Sequence, residues 1–413
     1  MPQSSVESSV RAARRAARLG GEGALDVMAA AGRLESQGKD VVHLEIGEPG
    51  VPTPRHVVEA GVRALHAGHT HYGPPEGLPE LRAAIAESLA ARGVRAAPEE
   101  IVVTPGAKPM ISFALLAVLE PGDDVLVPEP GFPIYPSVAR FADARPVPYP
   151  LDRERGFALS PDAIAQRITP RTRVLVLNLP HNPTGGVAGE ADLAAVAELA
   201  LAHDLIVVCD EVYSRLRYDG GARSIAAFPE LKARTVLVDG FSKAYAMTGW
   251  RLGYGLLPPV LADRVTALVV NSTTCTPAFV QLAGLAALTG PQDDLHALVR
   301  DLQHRRDQIV AGLNRIPGIT CGVPAGAFYA FPDIEGALER TGMETDAFAR
   351  RVLEEHGVAV LSGTAFGPGG AGHLRLSFAA PAGAITRALD GLARCASVLT
   401  PRSPLRGAEK AEP

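Results

Sequence analysis

Cysteine is scarce in this sequence. The 413 residues include only Cys209, Cys275, Cys321 and Cys395, which lie far apart and form no CxxC or other metal-ligand spacing. A disulfide framework or a zinc site would need closely spaced cysteines, so we expect neither, and no metal site. Isolated thiols fit a reducing compartment, and we therefore predict a cytoplasmic protein.

The sequence also lacks a strong excess of one charge and a long hydrophobic run. Its formal net charge is -5 and its pI is about 6.1, so the basic footprint of a nucleic-acid-binding protein is missing. The most apolar stretch, residues 110–119, is half as long as the roughly 20 residues that cross a bilayer. We predict no nucleic-acid partner, no membrane span and a small-molecule ligand.

The two ends of the chain differ in composition from the rest. Residues 1–18 combine serines and arginines with few acids, as transit peptides do, but no apolar region or cleavage site follows. A surface helix or a mobile arm is therefore favoured over a transit peptide. Residues 400–413 contain three prolines and alternating charges, which predicts a disordered tail.

The sequence does contain a regular alternation of short aliphatic runs with longer helical patterns. The runs that predict buried strands are residues 101–104, 125–128, 174–179, 205–209 and 236–239. Residues 110–119 and 190–203 lie between such runs and predict helices. This alternation predicts an α/β fold with a mostly parallel sheet between helices.

Beyond residue 290 the pattern changes. A long amphipathic stretch at 295–316 is followed by isolated strands at 327–331 and 374–378 between helices at 345–356 and 382–398. This arrangement predicts a smaller α+β domain. The predicted division is residues 1–48 as an N-terminal arm and part of the small domain, 49–290 as a large ligand-binding domain, 291–399 as a small C-terminal domain, and 400–413 as the tail.

In an open α/β sheet, ligands bind beyond the carboxyl ends of the strands, so the residues that follow each strand are candidates for the site. Gly106, Ala107 and Lys108 follow the first run and open a helix whose free N–H groups can hold a phosphate. Phe132 follows the second run and could stack on a ring, and the loop with Asn182 follows the third. Each feature alone is equally typical of an ordinary turn or a core aromatic residue.

The last two runs are followed by residues with a clearer chemical purpose. Asp210 and Tyr213 follow the fourth run, where a buried carboxylate can keep a ring nitrogen protonated and a phenol can bond a ring oxygen. Lys243 follows the fifth run and offers an amine that can bond an aldehyde covalently. Arg251, on the same short segment, offers a planar guanidinium to a phosphate. These anchors suit a phosphorylated aldehyde on a pyridine ring.

In order and spacing, these residues resemble the class I and II aminotransferases of pyridoxal phosphate fold type I, over nearly the whole chain. The other matching positions are Ile46, Gly47, Glu48 and Pro49 with Thr53 and Pro54; Tyr72 with Gly77, Leu81 and Arg82; Pro183, Thr184 and Gly185; Gly326, Ala327, Phe328 and Tyr329; and Leu374, Arg375, Leu376 and Ser377. Short motifs are weak singly, but so many in one order argue against a chance match.

The resemblance implies the fold, the activity and the partners. It implies a large domain that binds pyridoxal phosphate on a mostly parallel seven-stranded sheet, and a homodimer with shared active sites. The implied activity moves the α-amino group of an L-amino acid to a 2-oxo acid, with the cofactor alternating between its pyridoxal and pyridoxamine forms. A lyase, a decarboxylase or an oxidase of the same fold is the alternative, because one fold hosts several reactions.

The resemblance also implies a role for each site residue. Lys243, Asp210 and Tyr213 would be catalytic, with Lys243 bonded covalently to the cofactor and moving the substrate proton. The cofactor would be held by Gly106, Ala107, Lys108, Phe132, Asn182, Asp210, Tyr213, Ser242, Lys243 and Arg251, and by Tyr72 acting in the neighbouring subunit. Arg375 would bind the substrate α-carboxylate with help from Asn182 and the Gly47 backbone.

Two positions depart from the family pattern. Gly50 stands where the family usually has aspartate, and Gly240 stands where some members have a phosphate-binding serine or threonine. More of the phosphate binding would then fall to Arg251. No residue of the N-terminal segment, the loop after Phe132 or residues 274–277 is identified as a clamp for a substrate side chain, so the sequence does not select one amino acid.

Two other functions are disfavoured. A DNA-binding regulator with a fused helix-turn-helix would need a longer N-terminal module than the roughly forty residues before Ile46, and the chain is acidic. His66, His69 and His71 form a histidine cluster, but they have no carboxylate partner at helical spacing. A polar loop is the favoured interpretation.

Overall fold

The structure is a computed structural model that describes residues 13–218 and 223–397. The predicted tail at 400–413 and the first twelve residues of the predicted arm lie outside the described residues. The strands are β1 Val42–His43, β2 Ile101–Thr104, β3 Asp124–Glu129, β4 Arg145–Pro150, β5 Thr172–Asn178, β6 Ile206–Asp210, β7 Thr235–Gly240, β8 Gly253–Leu256, β9 Tyr329–Ala330, β10 Val358–Ala359, β11 Leu361–Ser362 and β12 Leu374–Ser377.

The helices surround these strands. They are α1 Gly23–Ser36, α2 Arg55–His66, α3 Pro79–Ala90, α4 Ala107–Val118, α5 Ile134–Phe141, α6 Pro161–Ala165, α7 Glu190–Ala202, α8 Pro259–Ser272, α9 Ala278–Thr289, α10 Asp293–Leu313, α11 Glu335–Thr341, α12 Thr345–His356 and α13 Ala382–Ser397. None of the helices in the described ranges is both long enough and apolar enough to cross a membrane.

A seven-stranded sheet forms the centre of the molecule, in the order β2-β8-β7-β6-β5-β3-β4. Only β8 runs antiparallel to its neighbours in this sheet. The five predicted strands correspond to β2, β3, β5, β6 and β7, and their buried side chains on both faces agree with the predicted pattern. The predicted α/β fold with a mostly parallel sheet is confirmed.

Two strands of this sheet were not predicted, for physical reasons. β4 contains Pro146, Pro148 and Pro150, which cannot donate backbone hydrogen bonds and so argue against a strand. The structure places β4 at the edge of the sheet, where one side needs no partner. β8 contains Gly253 and Gly255 and lacks the aliphatic run typical of a buried strand.

Helices cover both faces of the sheet. The core on one face includes buried side chains from α4, α5 and α8, and the core on the other includes side chains from α6 and α7. Burial on both faces explains why the strands are continuously apolar rather than alternating. The carboxyl ends of the parallel strands are left as the edge at which polar residues gather.

Smaller sheets lie outside this centre. β1 pairs in parallel with β10, and β11, β12 and β9 form an antiparallel sheet. α10 and α13 pack on each other and their buried faces join the largest core. The N-terminal strand β1 thus associates with C-terminal elements. The domain boundaries themselves stay a prediction.

Candidate active site

A cavity of ≈ 350 Å³ lies among residues that follow the parallel strands β2, β3, β5, β6 and β7. Such strand ends meet at one edge of a sheet, so residues distant in sequence come together. The predicted site residues that line the cavity are Gly47, Ala107, Lys108, Phe132, Asn182, Asp210, Tyr213, Ser242, Lys243, Arg251 and Arg375. The cavity is therefore the candidate active site.

Lys243 lies in the turn after β7 and is partly buried. Its Nζ donates a 2.5 Å hydrogen bond to the carbonyl oxygen of Gly47. Burial, helped by the positive charge of Arg375, lowers the pKa of Lys243 to about 8. A larger fraction of this amine is therefore neutral than for a surface lysine, as a nucleophile or a base requires.

Asp210 is the last residue of β6 and is only 4% exposed. Its Oδ2 accepts a 2.7 Å hydrogen bond from the Tyr135 hydroxyl, and its Oδ1 accepts one of 3.3 Å from the Val212 backbone. Burial raises the pKa of Asp210 to about 6, against the lowering effect of these hydrogen bonds. A desolvated carboxylate of this kind is stabilised in its charged form by a cationic partner.

Asn178 links Asp210 to the loop after β5. Its side-chain nitrogen donates a 3.1 Å hydrogen bond to the Asp210 carbonyl, and its Oδ1 accepts one of 2.8 Å from the Asn182 backbone. It thereby fixes the Asn182 loop to the neighbouring strand. Asn178 and Tyr135 were not predicted as site residues. The signal for Asn178 was a polar residue closing an apolar strand.

Tyr213 and Tyr329 form a pair of phenols in the cavity wall. Their hydroxyl oxygens lie 2.7 Å apart. Burial raises the pKa of both residues, so both hydroxyls keep their protons and can donate. Tyr329 belongs to β9 and was matched to the family motif, but it was not among the predicted site residues.

Arg375 lies on β12 and is 4% exposed. Its Nη1 donates a 3.0 Å hydrogen bond to Asn182 Oδ1, and its Nη2 donates to the Glu45 carbonyl. The guanidinium carbon lies 4.4 Å from the centre of the Tyr329 ring and 5.0 Å from that of Phe366. Among the described residues its Nε has no partner. A cation held this firmly can recognise a planar carboxylate.

The far end of the cavity is suited to an anion. Gly106 has φ of 96° and caps α4, whose first backbone N–H groups are free to bind a ligand. A Cβ at Gly106 would lie 2.2 Å from Arg251 Nη2, so only glycine lets the guanidinium approach this closely. Arg251 Nη1 donates a 2.8 Å hydrogen bond to the Thr248 carbonyl, and Ser242 lines the same cavity.

Lys108 and Phe132 lie together at the cavity. The Lys108 Nζ is 5.4 Å from the centre of the Phe132 ring and 2.5 Å from Glu22 Oε2. Glu22 immediately precedes α1 and also lines the cavity. Glu22 was not predicted, because nothing in the sequence indicates that the start of the chain lies over this edge of the sheet.

Tyr72 does not line the cavity. It is 86% exposed on the loop between α2 and α3. Its action in a neighbouring subunit, which the resemblance implies, stays a prediction. His66, His69 and His71 are likewise exposed, at the end of α2 and on the loop that follows.

A buried ionic network lies beside Asp210. Arg92 Nη1 donates a 3.0 Å hydrogen bond to Asp239, and Nη2 donates to Glu211. Burial lowers the pKa of Arg92, but these two carboxylates raise it by more. Glu211 follows Asp210 in the chain and Asp239 lies on the neighbouring strand β7, so the guanidinium offsets part of their combined negative charge. Unlike Glu211 and Asp239, Asp210 lines the cavity.

The two glycines that depart from the family pattern have different surroundings. A Cβ at Gly50 would lie 2.6 Å from the Ala379 carbonyl oxygen, which also accepts a 2.6 Å hydrogen bond from Arg305. Any side chain at Gly50 would therefore disturb this contact. Gly240 lines the cavity and its Cβ would lie 3.1 Å from the Leu252 carbonyl, so a side chain there needs a small adjustment.

Glu45, whose carbonyl holds Arg375, has a fully buried side chain. Its Oε1 accepts a 2.7 Å hydrogen bond from His43 Nδ1, while His43 Nε2 donates 3.1 Å to Glu35. Burial lowers the pKa of His43, but the bonds to Glu45 and Glu35 raise it overall. Protonated His43 therefore stabilises the segment that carries the Glu45 carbonyl.

We expect His43→Gln to destabilise the protein more in weak acid than in weak base. The folded-state pKa of His43 is raised above the ordinary value of 6.5. The protonated ring therefore stabilises the fold fully below pH 6.5, and this stabilisation is lost as the pH rises through the folded-state pKa. Urea unfolding of both proteins at about pH 6 and about pH 8.5 measures the difference. An equal difference in unfolding free energy at both pH values would contradict a role for the charge.

One known protein family, and several proteins and solved structures, are similar to this chain over most of its length. The sequence model of the family described as aminotransferase class I and II matches residues 39–392. An aspartate aminotransferase from Musicola paradisiaca is 41% identical over 365 residues, which are 87% of this chain and 90% of that protein. An arginine–pyruvate transaminase from Pseudomonas aeruginosa is 38% identical over 385 residues, which are 92% of this chain and 97% of that protein.

The fold comparison agrees with the sequence comparison. The crystal structure of the aspartate aminotransferase from Rhizobium meliloti superposes with a TM-score of 0.90 at 36% identity, and the match covers 95% of this chain and 100% of that one. The aspartate aminotransferase from Thermus thermophilus with maleate gives a TM-score of 0.88 at 38% identity, with 94% and 100% covered. These similarities extend over both the seven-stranded sheet and the smaller sheets.

Proposed function

This chain belongs to the class I and II aminotransferase family, and from that premise we propose that it transfers the α-amino group of an L-amino acid to a 2-oxo acid in the cavity around Lys243. The chain is an aminotransferase, as the resemblance implied, and the comparisons do not favour a lyase, a decarboxylase or an oxidase. The observation that carries the proposed site is the joint placement of Lys243, Asp210 and Arg375 in one cavity.

The residues present fit pyridoxal phosphate as the cofactor. The free N–H groups at the start of α4, together with Ser242 and Arg251, would hold the phosphate, and Gly106 leaves room for the Arg251 guanidinium. Asp210, with its pKa raised to about 6 by burial, would face the ring nitrogen and gain a cationic partner. Phe132 would stack on the ring, and Asn182 and Tyr213 would bond its oxygen.

The bound cofactor supplies an electron sink for the carbanion at the substrate Cα. The protein's own residues supply position and proton transfer. Arg375 would bind the substrate α-carboxylate and set which Cα bond faces the ring, helped by Asn182 and the Gly47 backbone. Lys243 would bond the cofactor between turnovers and, once released, move the Cα proton. Its pKa of about 8 suits a base near neutral pH.

The proposed activity is tested by the half-reaction. Purified protein loaded with pyridoxal phosphate should lose its visible absorption band when an amino acid is added and release the matching 2-oxo acid. Addition of a second 2-oxo acid should restore the band. Release of ammonia or carbon dioxide without this reversible change would contradict transamination. A screen of the twenty amino acids against 2-oxoglutarate, pyruvate and oxaloacetate then identifies the substrates.

We also propose a homodimer with shared active sites. Val58, Val62 and Leu65 are 37%, 45% and 45% exposed at helical spacing on α2, an apolar face that a second copy could cover. Tyr72 follows this helix and is free to reach a neighbouring molecule. A cytoplasmic location is proposed because Cys209, Cys275, Cys321 and Cys395 are all unpaired thiols.

We propose the domain division predicted from the sequence. The seven-stranded sheet is built within residues 49–290, and the antiparallel sheet is built within residues 291–399. β1, from residues 1–48, pairs with β10, which supports assigning that segment in part to the small domain. The candidate site then lies between the two domains, with Lys243 from one and Arg375 from the other.

A further inference from the structure

Glu22 lies at the cavity although it comes from the far N-terminal part of the chain. Its carboxylate is 2.5 Å from the Lys108 ammonium, and its side chain is 29% exposed, against 46% for that of Lys108. Ala24 and Leu25, two and three residues further along the chain, also line the cavity. The start of α1 thus forms part of the wall and contributes a negative charge to it.

The other charged residues that line the cavity either have a role in the proposed function or are hydrogen-bonded elsewhere. Lys243, Asp210, Arg251 and Arg375 have roles in the proposed function, and Glu48 accepts a hydrogen bond from the Thr248 hydroxyl. The remaining charges of the described lining are those of Glu22 and Lys108. Lys108 is placed near the phosphate by the family resemblance, but its ammonium is bonded to Glu22 rather than free.

This ion pair lines the same cavity as Lys243 and Tyr329. The main cause of the raised pKa of Tyr329 is burial, and the Glu22 carboxylate raises it further. The main cause of the lowered pKa of Lys243 is also burial, and Lys108 lowers it further. The pair therefore lies within electrostatic reach of both Lys243 and Tyr329. Tyr329 in turn packs on Arg375, which would hold the substrate α-carboxylate.

On the basis of the proposed function, we propose that Glu22 determines substrate specificity: by engaging Lys108 it disfavours amino acids that carry a second carboxylate, and the enzyme prefers those with uncharged side chains. A second carboxylate would meet the Glu22 charge and find Lys108 already paired, and like charges in contact are strongly unfavourable. A cationic side chain would have to displace Lys108 in a cavity that also holds Arg251 and Arg375.

The rest of the nearby lining suits an uncharged side chain. Ala24, Leu25, Ile46 and Ile111 contribute apolar surface to the same cavity. Apolar surface that is covered by a methyl or a larger aliphatic group is removed from water, which stabilises the complex. A charged group would lose its hydration there without gaining a free partner.

The test compares Glu22→Gln with the parent holoenzyme. Removal of the negative charge frees Lys108, so we expect kcat/KM for aspartate relative to alanine to rise by about 10-fold, as expected when a like-charge contact is removed. Binding of succinate, an unreactive dicarboxylate, should tighten by a similar factor in calorimetry on the holoenzyme. Asp26→Asn is the matched control, because Asp26 is an exposed acid on α1 that does not line the cavity.

A second variant tests whether Lys108 mediates the effect. In Glu22→Gln combined with Lys108→Gln, the gain in aspartate use and in succinate binding should be smaller than in Glu22→Gln alone, because the repulsion is still removed but no free cation is left; cofactor occupancy is checked by absorbance. A parent enzyme that prefers aspartate over alanine, or a Glu22→Gln enzyme with an unchanged ratio and unchanged succinate binding, would overturn the inference. Failure of the parent to transaminate any amino acid would instead overturn the proposed function.

Discussion

Replacement of Lys243 by alanine is expected to abolish turnover. The amine lies 2.5 Å from the Gly47 carbonyl in the cavity, and its pKa is lowered to about 8 mainly by burial. Its loss removes both the covalent anchor of the cofactor and the group that moves the Cα proton. Proton transfer by a positioned base alone contributes about 10²- to 10⁴-fold, so we expect a decrease of at least about 10⁴-fold in kcat when both roles are lost.

The measurement combines amino-transfer kinetics with borohydride reduction of the loaded protein. The parent should yield a reduced adduct on the peptide that contains Lys243, and Lys243→Ala should yield none. Lys232→Ala is a suitable control, because Lys232 is a partly exposed lysine paired with Glu100 outside the cavity. Turnover by Lys243→Ala at the rate of the control would refute the assignment.

Replacement of Asp210 by alanine is expected to lower kcat by about 10²- to 10³-fold, the usual effect of removing one preorganised electrostatic partner. Asp210 is buried at the end of β6 and is held by Tyr135 and the Val212 backbone. Its charge would keep the ring nitrogen protonated, which strengthens the electron sink. Asp210→Asn, which keeps the shape, should lose a similar factor, because the role depends on the charge.

Stability separates this electrostatic role from a structural one. Burial raises the pKa of Asp210 to about 6, so without a cationic ligand the ionised carboxylate destabilises the folded state increasingly as the pH rises from the unfolded value of 3.8 through 6. Asp210→Asn without cofactor should therefore be at least as stable as the parent at neutral pH in urea unfolding. Wild-type kcat in either variant would refute the proposed electrostatic role. An Asp210→Asn protein that is inactive because it fails to fold would show a structural role instead.

Several parts of the site were predictable because local sequence determines them. Asp210 and Asn182 follow aliphatic runs that can only be buried strands, and residues after parallel strands meet at one edge. Gly106 was predicted to open a helix, and the structure shows that it caps α4 with a positive φ. In these cases the strand pattern and a single turn residue carry the information.

Other parts depend on contacts between distant segments. Tyr135 reaches Asp210 from α5, Tyr329 reaches Tyr213 from β9, and Glu22 reaches Lys108 across the cavity. The separations in sequence are large, and the residue types are common in ordinary cores and surfaces. Nothing local distinguishes such a tyrosine or glutamate from one that packs or is merely solvated.

The order of α and β elements, the aminotransferase family and the residues that close the parallel strands follow from the amino-acid sequence, because apolar runs and short turns act locally on the backbone. Packing of the folded chain is needed to place proline-rich β4 at the sheet edge, Arg375 on Tyr329, and Glu22 beside Lys108. These features arise when the chain packs on itself, since the pKa values, ion pairs and shape of a cavity depend on which distant groups exclude water from it.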